Sequence, residues 1–215
     1  MTAEGSRSDD PEKGSKTVDG DDTADPSVVG VVLAGGTSSR FGEENKLLAD
    51  LDGEPLVHHA VRTLLRAELA AVIVVVGYEA EAVRTALADL DVRVVRNPGY
   101  EAGLSTTVAA GIRAVGDAAG VVFLPGDMPA VDPATVNRLL DAYRAGLGTA
   151  LAAAYDGQRG NPVLFDRNHF DELLAVEGDV GGRPVLMESG DSALVDVNDP
   201  GAVIDIDTLE DLRRQ

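Results

Sequence analysis

The sequence contains no cysteine and no tryptophan, and aromatic residues make up only 4% of its 215 positions. A chain without cysteine can form neither disulfides nor thiolate metal sites, and it has no cysteine nucleophile. With so few aromatic residues, the 44% of apolar positions must build a core mainly from valine, leucine, isoleucine and alanine. Cores of this kind are typical of parallel sheets that are covered by helices.

Basic residues and long apolar runs are also scarce. The chain has 18 lysine and arginine residues against 37 aspartate and glutamate residues, which gives a formal charge of −19. Such a surface repels nucleic acid and anionic membranes, so we expect neither as a partner. No apolar run reaches the ~18–20 residues of a membrane helix, and the acidic N-terminal stretch lacks the apolar segment of a signal peptide. We therefore expect a cytoplasmic protein.

Composition divides the chain into two parts. Residues 1–27 are polar and acidic with almost nothing apolar, which predicts a disordered tail. Residues 28–215 alternate apolar strand patterns with helical ones and are expected to form a single domain. This alternation predicts an α/β fold with a doubly wound, mostly parallel sheet and a Rossmann-like nucleotide-binding half. The first four strands are predicted at residues 28–33, 71–76, 92–95 and 121–124.

The C-terminal region gives weaker patterns. Residues 202–206 are apolar enough to predict a short strand. Asp207 precedes Glu210 by three residues, a spacing that predicts an N-cap for the last helix.

A glycine loop follows the first predicted strand, and residues 31–46 read VVLAGGTSSRFGEENK. Glycines allow the positive φ values of a tight turn, and successive N–H groups in such a turn can bind an anion. Three hydroxyl residues add donors, and Arg40 and Lys46 add two cations. The loop matches neither G-x-x-x-x-G-K-[ST] nor G-x-G-x-x-G. It is expected to bind a polyphosphate, and an ordinary strand-to-helix turn is the alternative.

Asp127 follows the fourth predicted strand. In a sheet of order 3-2-1-4 the first and fourth strands are neighbours, so the glycine loop and Asp127 should meet at one crevice. A carboxylate beside phosphates is unfavourable unless a cation bridges them, and Mg²⁺ binds through one or two carboxylates plus phosphate oxygens. Asp127 is therefore a candidate Mg²⁺ ligand, with helix capping as its alternative role.

Further candidates lie in three other loops. Asp179, in a loop with three glycines in five residues, is a second candidate carboxylate or a plain loop residue, and Arg183 adds a cation. Gly103 and Ser105 follow the third strand and could contact a base, although Ser105 could equally cap a helix. Asn161 could position a substrate or simply stabilise a turn. No activated nucleophile is visible, so the set favours phosphoryl or nucleotidyl transfer, in which the protein positions groups and neutralises charge.

Five segments occur in the order LAGGTSSRFG…NKLL, GLSTTV, PGDMP, GNPVLF and GDVGGR. Together they resemble the molybdenum cofactor cytidylyltransferase group of the MobA-like NTP transferases, from residue 28 to about residue 183. The later DIDTLEDL segment also resembles this group. The resemblance implies a fold of the nucleotide-diphospho-sugar transferase type. It implies a Mg²⁺-dependent reaction in which a terminal phosphate of molybdopterin attacks the α-phosphate of CTP and pyrophosphate leaves, with a molybdenum hydroxylase as recipient.

The resemblance also implies roles for residues of the loop. Arg40 and Lys46 would neutralise the leaving pyrophosphate and the α-phosphate. The implied nucleotide-binding positions are Leu33, Ala34, Gly35, Gly36, Ser38, Lys46, Gly103 and Ser105.

Outside the loop, the resemblance implies Asp127 as the Mg²⁺ ligand and Asp179 as a second ligand or a pterin-side contact. Asn161 and Arg183 would lie on the substrate side. Gly35 departs from the pattern, because the cytidylyl branch often has alanine there and the LAGG form is common in the guanylyl branch. CTP or GTP therefore remains open as the donor. Transfer to a sugar 1-phosphate and a non-catalytic molybdenum cofactor chaperone are the alternative functions.

Overall fold

The computed structural model describes residues 1, 27–37, 41 and 45–214. In chain order its strands are β1 (Val28–Ala34), β2 (Asp50–Leu51), β3 (Glu54–Pro55), β4 (Ala71–Val76), β5 (Arg93–Arg96), β6 (Gly120–Pro125), β7 (Ala150–Tyr155), β8 (Gln158–Asp166) and β9 (Ser192–Asp196). Its α-helices are α1 (Leu56–Leu65), α2 (Ala80–Ala86), α3 (Leu104–Ala114), α4 (Pro133–Arg144), α5 (Phe170–Ala175), α6 (Arg183–Glu188) and α7 (Leu209–Leu212). Short 3₁₀ helices cover Lys46–Leu48, Tyr100–Ala102, Arg167–His169 and Pro200–Val203.

Seven strands form one sheet in the order β5-β4-β1-β6-β8-β7-β9, and β2 pairs with β3 separately. β1 lies between β4 and β6 and is parallel to both. Only β8 in the seven-stranded sheet runs antiparallel to its neighbours. The first four strands of this sheet therefore have the predicted order 3-2-1-4, and the predicted α/β class with a mostly parallel sheet is confirmed.

Helices cover both faces of the sheet, which explains why β1 has no polar side chain. Val32 of β1 packs toward the face that α1, α2 and α4 cover. Val31 packs toward the opposite face, which α3, α5 and α6 cover. Both valines are fully buried, as expected for a strand enclosed on two sides. No helix in the described ranges is long and apolar enough to span a bilayer.

The structure corrects two expectations near the C-terminus. Residues 202–206 do not form a strand, because residues 202 and 203 belong to the 3₁₀ helix Pro200–Val203, which Asp199 holds against α4. Its carboxylate accepts hydrogen bonds from the Thr135 hydroxyl (2.7 Å) and the Gly201 N–H (2.9 Å). The N-cap of α7 is Thr208, whose hydroxyl accepts from the N–H of Asp211 at 3.2 Å. The proposed acidic tail falls almost wholly on residues 2–26, outside the described residues.

Candidate active site

A cavity of about 540 Å³ lies at the carboxyl ends of β1 and β6. Gly36 of the glycine loop and Asp127 after β6 both line it, so the two sequence stretches meet there as the strand order predicted. The start of β8 and residues 202–207 complete the wall. A crevice outside the carboxyl ends of two neighbouring parallel strands is where α/β sheets bind their ligands.

Lys46 enters this cavity from the short 3₁₀ helix that follows the loop. The buried Asn45 anchors the start of that helix: its Oδ1 accepts the N–H of Leu47 at 3.1 Å, and its Nδ2 donates to the Tyr78 carbonyl at 3.2 Å. The Lys46 side chain is only 13% exposed. Local capping therefore fixes the position from which this ammonium group reaches the cavity.

Among the described residues, the Lys46 ammonium group contacts the carboxylates of Asp127 and Asp207. Nζ donates to Oδ2 of Asp127 at 2.6 Å and to Oδ1 of Asp207 at 3.1 Å. Burial by itself lowers the pKa of Lys46, but the charges and hydrogen bonds of Asp127 and Asp207 outweigh this and raise the pKa above its usual value. Lys46 is therefore a cation throughout the neutral range.

Asp205 brings a third carboxylate to the same corner. Partial burial raises its pKa, and the negative charges of Asp127 and Asp207 raise it further. The backbone explains the grouping, because the N–H of Ile206 donates to the carbonyl of Asp127 at 2.9 Å and the Ile206 side chain is fully buried. Asp205 and Asp207 therefore flank the segment that is pinned to Asp127. We call Asp127, Asp205 and Asp207 the acidic corner.

Of the acidic corner, only Asp127 was expected from the sequence. Asp207 had been assigned to a helix cap, and Asp205 had been placed within a strand. Two acids in alternation in the DIDTLEDL segment were the available signal. Nothing in the sequence indicated that this segment returns to Lys46, which is 161 positions away from Asp207.

The donor chemistry of the acidic corner suits a hard divalent cation, since all its candidate ligands are carboxylate oxygens. Among the described residues, no group of three or more His, Cys, Asp or Glu side chains could hold a metal ion. A Mg²⁺ or Mn²⁺ ion would therefore bind through one or two of these carboxylates and complete its coordination with phosphate oxygens and water.

Asp179 lines the same cavity and caps a helix with its loop. Its Oδ1 accepts the N–H of Leu104 at 3.3 Å, and the carbonyl of Gly178 accepts the N–H of Ser105 at 3.2 Å. Gly103 has a φ of +110°, and a Cβ there would lie 2.5 Å from the Gly178 carbonyl oxygen. Ser105 is not the N-cap of α3, as had been one expectation, because this loop supplies the acceptors. It lines a second cavity beside α3.

Asn161 and Arg159 line the β8 side of the main cavity, and Arg183 begins α6. Burial lowers the pKa of Arg159, and the nearby charge of Arg183 lowers it further. In the described part of the chain neither arginine has an ion-pair partner, in contrast to Lys46. Arg159 was not singled out from the sequence.

The start of the glycine loop lies at the cavity. Leu33 lines the cavity, whereas Ala34 is buried in the core, so only its backbone could face a ligand. Gly36 is exposed, and a Cβ there would have no atom within 4 Å. The predicted contacts of Ser38 and Arg40 lie outside the described residues.

The family described as MobA-like NTP transferase domain matches residues 30–193. The chain belongs to this family. A relative that aligns over nearly its whole length is the nicotine blue oxidoreductase of Paenarthrobacter nicotinovorans, with 32% identity over 201 residues, 90% of this chain and 98% of the relative. The bifunctional protein GlmU of Alkalilimnicola ehrlichii is 42% identical over 120 residues, 55% of this chain but only 26% of GlmU.

Solved structures give the same family. Rv0371c of Mycobacterium tuberculosis H37Rv has a TM-score of 0.75 and 29% identity, covering 88% of this chain and 97% of that one, and it has also been crystallised in complex with manganese. A nucleotidyl transferase from Methanothermobacter has a TM-score of 0.77 and 27% identity, covering 87% and 95%. CMP:2-keto-3-deoxy-manno-octonic acid synthetase shares the fold at 16% identity, with a TM-score of 0.68 over 87% of this chain and 96% of that one. The expected fold type is therefore confirmed.

Proposed function

We propose that this MobA-like protein transfers CMP from CTP to the terminal phosphate of a molybdopterin-type cofactor and releases pyrophosphate. The observation that carries the proposal is the meeting of the glycine loop, Lys46 and the acidic corner at one cavity. A loop for phosphates, a charged ammonium group and carboxylates for a divalent ion are the components that nucleotidyl transfer requires.

The nucleotide would bind with its phosphates along the loop that begins at Gly35 and Gly36. Lys46 would then exchange a carboxylate contact for a phosphate oxygen and neutralise charge that develops on the phosphates. Asp127, with Asp205 or Asp207, would hold Mg²⁺, which would supply positive charge to neutralise the phosphates. Asp179 remains a proposed second metal ligand or acceptor contact. Manganese in a structure of Rv0371c supports a divalent ion.

The acceptor would bind beside β8 and α6. Asn161 and Arg183 are the proposed acceptor contacts, and we add Arg159, because it lines the cavity and the charge of Arg183 acts on it. Two neighbouring cations without ion-pair partners in the described chain suit a phosphate of the acceptor, which arginine can bind through two parallel hydrogen bonds. The overall charge of −19 makes such cations all the more important for an anionic substrate.

The choice of CTP and of molybdopterin rests on the later sequence motifs. GTP is the alternative donor, and a sugar 1-phosphate is an alternative acceptor. A non-catalytic cofactor chaperone is a third alternative, although a carrier would have no use for the Lys46–Asp127 arrangement.

One relative supports a second candidate function. The nicotine blue oxidoreductase aligns with 90% of this chain, and an oxidoreductase role for this protein would follow from that likeness. The two candidates differ in what they require of the acidic corner, because oxidation or reduction of nicotine blue releases no pyrophosphate.

Pyrophosphate release with Mg²⁺ and molybdopterin cofactor tests the proposal, with CTP, GTP and ATP compared and the Asp127→Asn variant as control. A clear preference for CTP is expected. Preference for GTP would assign guanylyl transfer, and release only with a sugar 1-phosphate would change the acceptor. Reduction of nicotine blue by NADH or NADPH, without release from any nucleotide, would establish the second candidate instead. Tight binding of cofactor without turnover would favour the chaperone.

A further inference from the structure

Gly35, the first glycine of the loop, lies in a narrow slot. A Cβ on Gly35 would lie 2.3 Å from Oγ1 and 3.0 Å from Cγ2 of Thr107, far closer than atoms in contact. From the other direction, a Cβ on Gly77 would lie 2.6 Å from the Gly35 carbonyl oxygen. The backbone of Gly35 is therefore held between the end of β4 and helix α3, without room for a side chain.

Thr107 cannot easily move aside, because it belongs to a buried polar network. Its Oγ1 accepts a hydrogen bond from Nδ2 of Asn97 at 3.1 Å, and the same Nδ2 donates to Oγ1 of Thr106 at 2.8 Å. Asn97 is itself fixed, since its N–H donates to the Val76 carbonyl at 2.8 Å and its Oδ1 accepts the N–H of Gly99 at 3.0 Å. Thr107 is 1% exposed and Asn97 is 4% exposed. Displacing Thr107 would leave buried polar atoms unpaired.

The next residue of the loop behaves differently. A Cβ on Gly36 would meet no atom within 4 Å, and Gly36 lines the open cavity. The steric demand for glycine at position 35 therefore comes from the protein beneath the loop, whereas position 36 faces the space for a ligand.

We infer that Thr107, held by Asn97, is a positioning residue for nucleotide binding. It sets the depth of Gly35 and with it the direction of the N–H groups that follow in the loop. This inference rests on the proposed role of the loop in binding a nucleotide. It also means that glycine at position 35 is a packing requirement of Thr107, so it does not by itself select the base.

The test is a double-mutant cycle with Gly35→Ala, Thr107→Ala and the two combined. Binding of CTP and of GTP is measured by calorimetry, and folding by thermal unfolding. Gly35→Ala should weaken nucleotide binding about tenfold or more, and adding Thr107→Ala should restore much of that loss, since it removes Oγ1 and Cγ2 and leaves only the Cβ of residue 107, 3.2 Å from the added Cβ. The ratio of CTP to GTP affinity should not change. Gly190→Ala is the matched control, because a Cβ there meets no atom within 4 Å and lies outside the cavity lining.

A second combination separates sterics from the hydrogen bond. Gly35→Ala with Thr107→Val keeps the volume of the threonine but removes its hydroxyl, so it should not restore binding. If the Gly35→Ala variant fails to fold, the double variant with Thr107→Ala becomes the decisive measurement. Recovery of both folding and nucleotide binding in the double variant supports the inference.

Two outcomes would overturn the inference alone. In the first, the Gly35→Ala variant binds the nucleotide as tightly as the wild type does. In the second, the double variant folds but still binds the nucleotide weakly. A marked change in the CTP to GTP ratio on Gly35→Ala would overturn the statement about base selection. Absence of nucleotide binding in the wild-type protein would remove the proposed function, and the inference with it.

Discussion

The acidic corner and the β8 side of the cavity differ in whether their charged side chains already contact groups of opposite charge in the protein. At the acidic corner, the Lys46 ammonium group already contacts Asp127 and Asp207. On the β8 side, Arg159 lines the cavity and Arg183 begins α6, and the described structure gives neither an acidic partner. Under the proposed function, a nucleotide and its metal ion would replace existing contacts, whereas an anionic acceptor would meet cations that have no ion pair to break.

The largest effect on turnover should come from a change at Asp127. Asp127→Asn keeps the shape of the side chain but removes its charge, so we expect turnover to fall by about 10²–10³-fold or more, with little loss of stability. Pyrophosphate release gives the rate, and thermal unfolding controls for folding. An unchanged rate would remove Asp127 from the mechanism and would leave the acidic corner without a catalytic role.

Lys46→Met sharpens the comparison, because it removes the charge and retains much of the aliphatic stem. We expect a loss of ~2–4 kcal/mol of transition-state stabilisation, read from kcat/KM for the nucleotide. In the nucleotide-free protein the same change should tighten Mn²⁺ binding, since the ion no longer competes with the ammonium group at Asp127. Weaker Mn²⁺ binding in the variant would show that Lys46 does not occupy the place of the metal.

The β8 side predicts a different kinetic pattern. Arg159→Gln and Arg183→Gln should each raise KM for the acceptor about tenfold, with KM for the nucleotide nearly unchanged, because the lost cation contacts only the acceptor. Arg84→Gln is a suitable control, since Arg84 forms an exposed ion pair with Glu81 on α2. Equal effects on both KM values would contradict a division of the cavity into two regions.

The smallest effect concerns stability at high pH. The pKa of Lys46 is raised in the folded protein, so its contribution to stability is complete below the unfolded pKa of about 10.4 and is lost as pH rises through the folded value. As pH rises from the unfolded pKa through the higher folded one, the Tm of the wild type should therefore fall more steeply than that of Lys46→Met. Parallel curves would indicate that the two carboxylates do not retain the proton on Lys46.

The sequence predicted the meeting of the glycine loop and Asp127 far better than the contributions of Asp205, Asp207 and Arg159. The strands before the glycine loop and before Asp127 are continuous apolar runs, and the ordering rules of parallel sheets bring their ends together. Asp205 and Arg159 have no comparable local signal. The position of Asp205 at the cavity depends on a hydrogen bond between Ile206 and Asp127. The position of Arg159 depends on β8 running antiparallel beside β6.

By itself, the sequence determined the α/β class and the order of the first four strands. These properties follow from periodicity and turn chemistry, which act between neighbours along the chain. Tertiary structure alone decided that Asp207 contacts Lys46 and that Thr107 leaves room only for glycine at position 35. Contacts between residues 72 to 161 positions apart depend on how helices and loops pack on the sheet, and no local pattern encodes that packing.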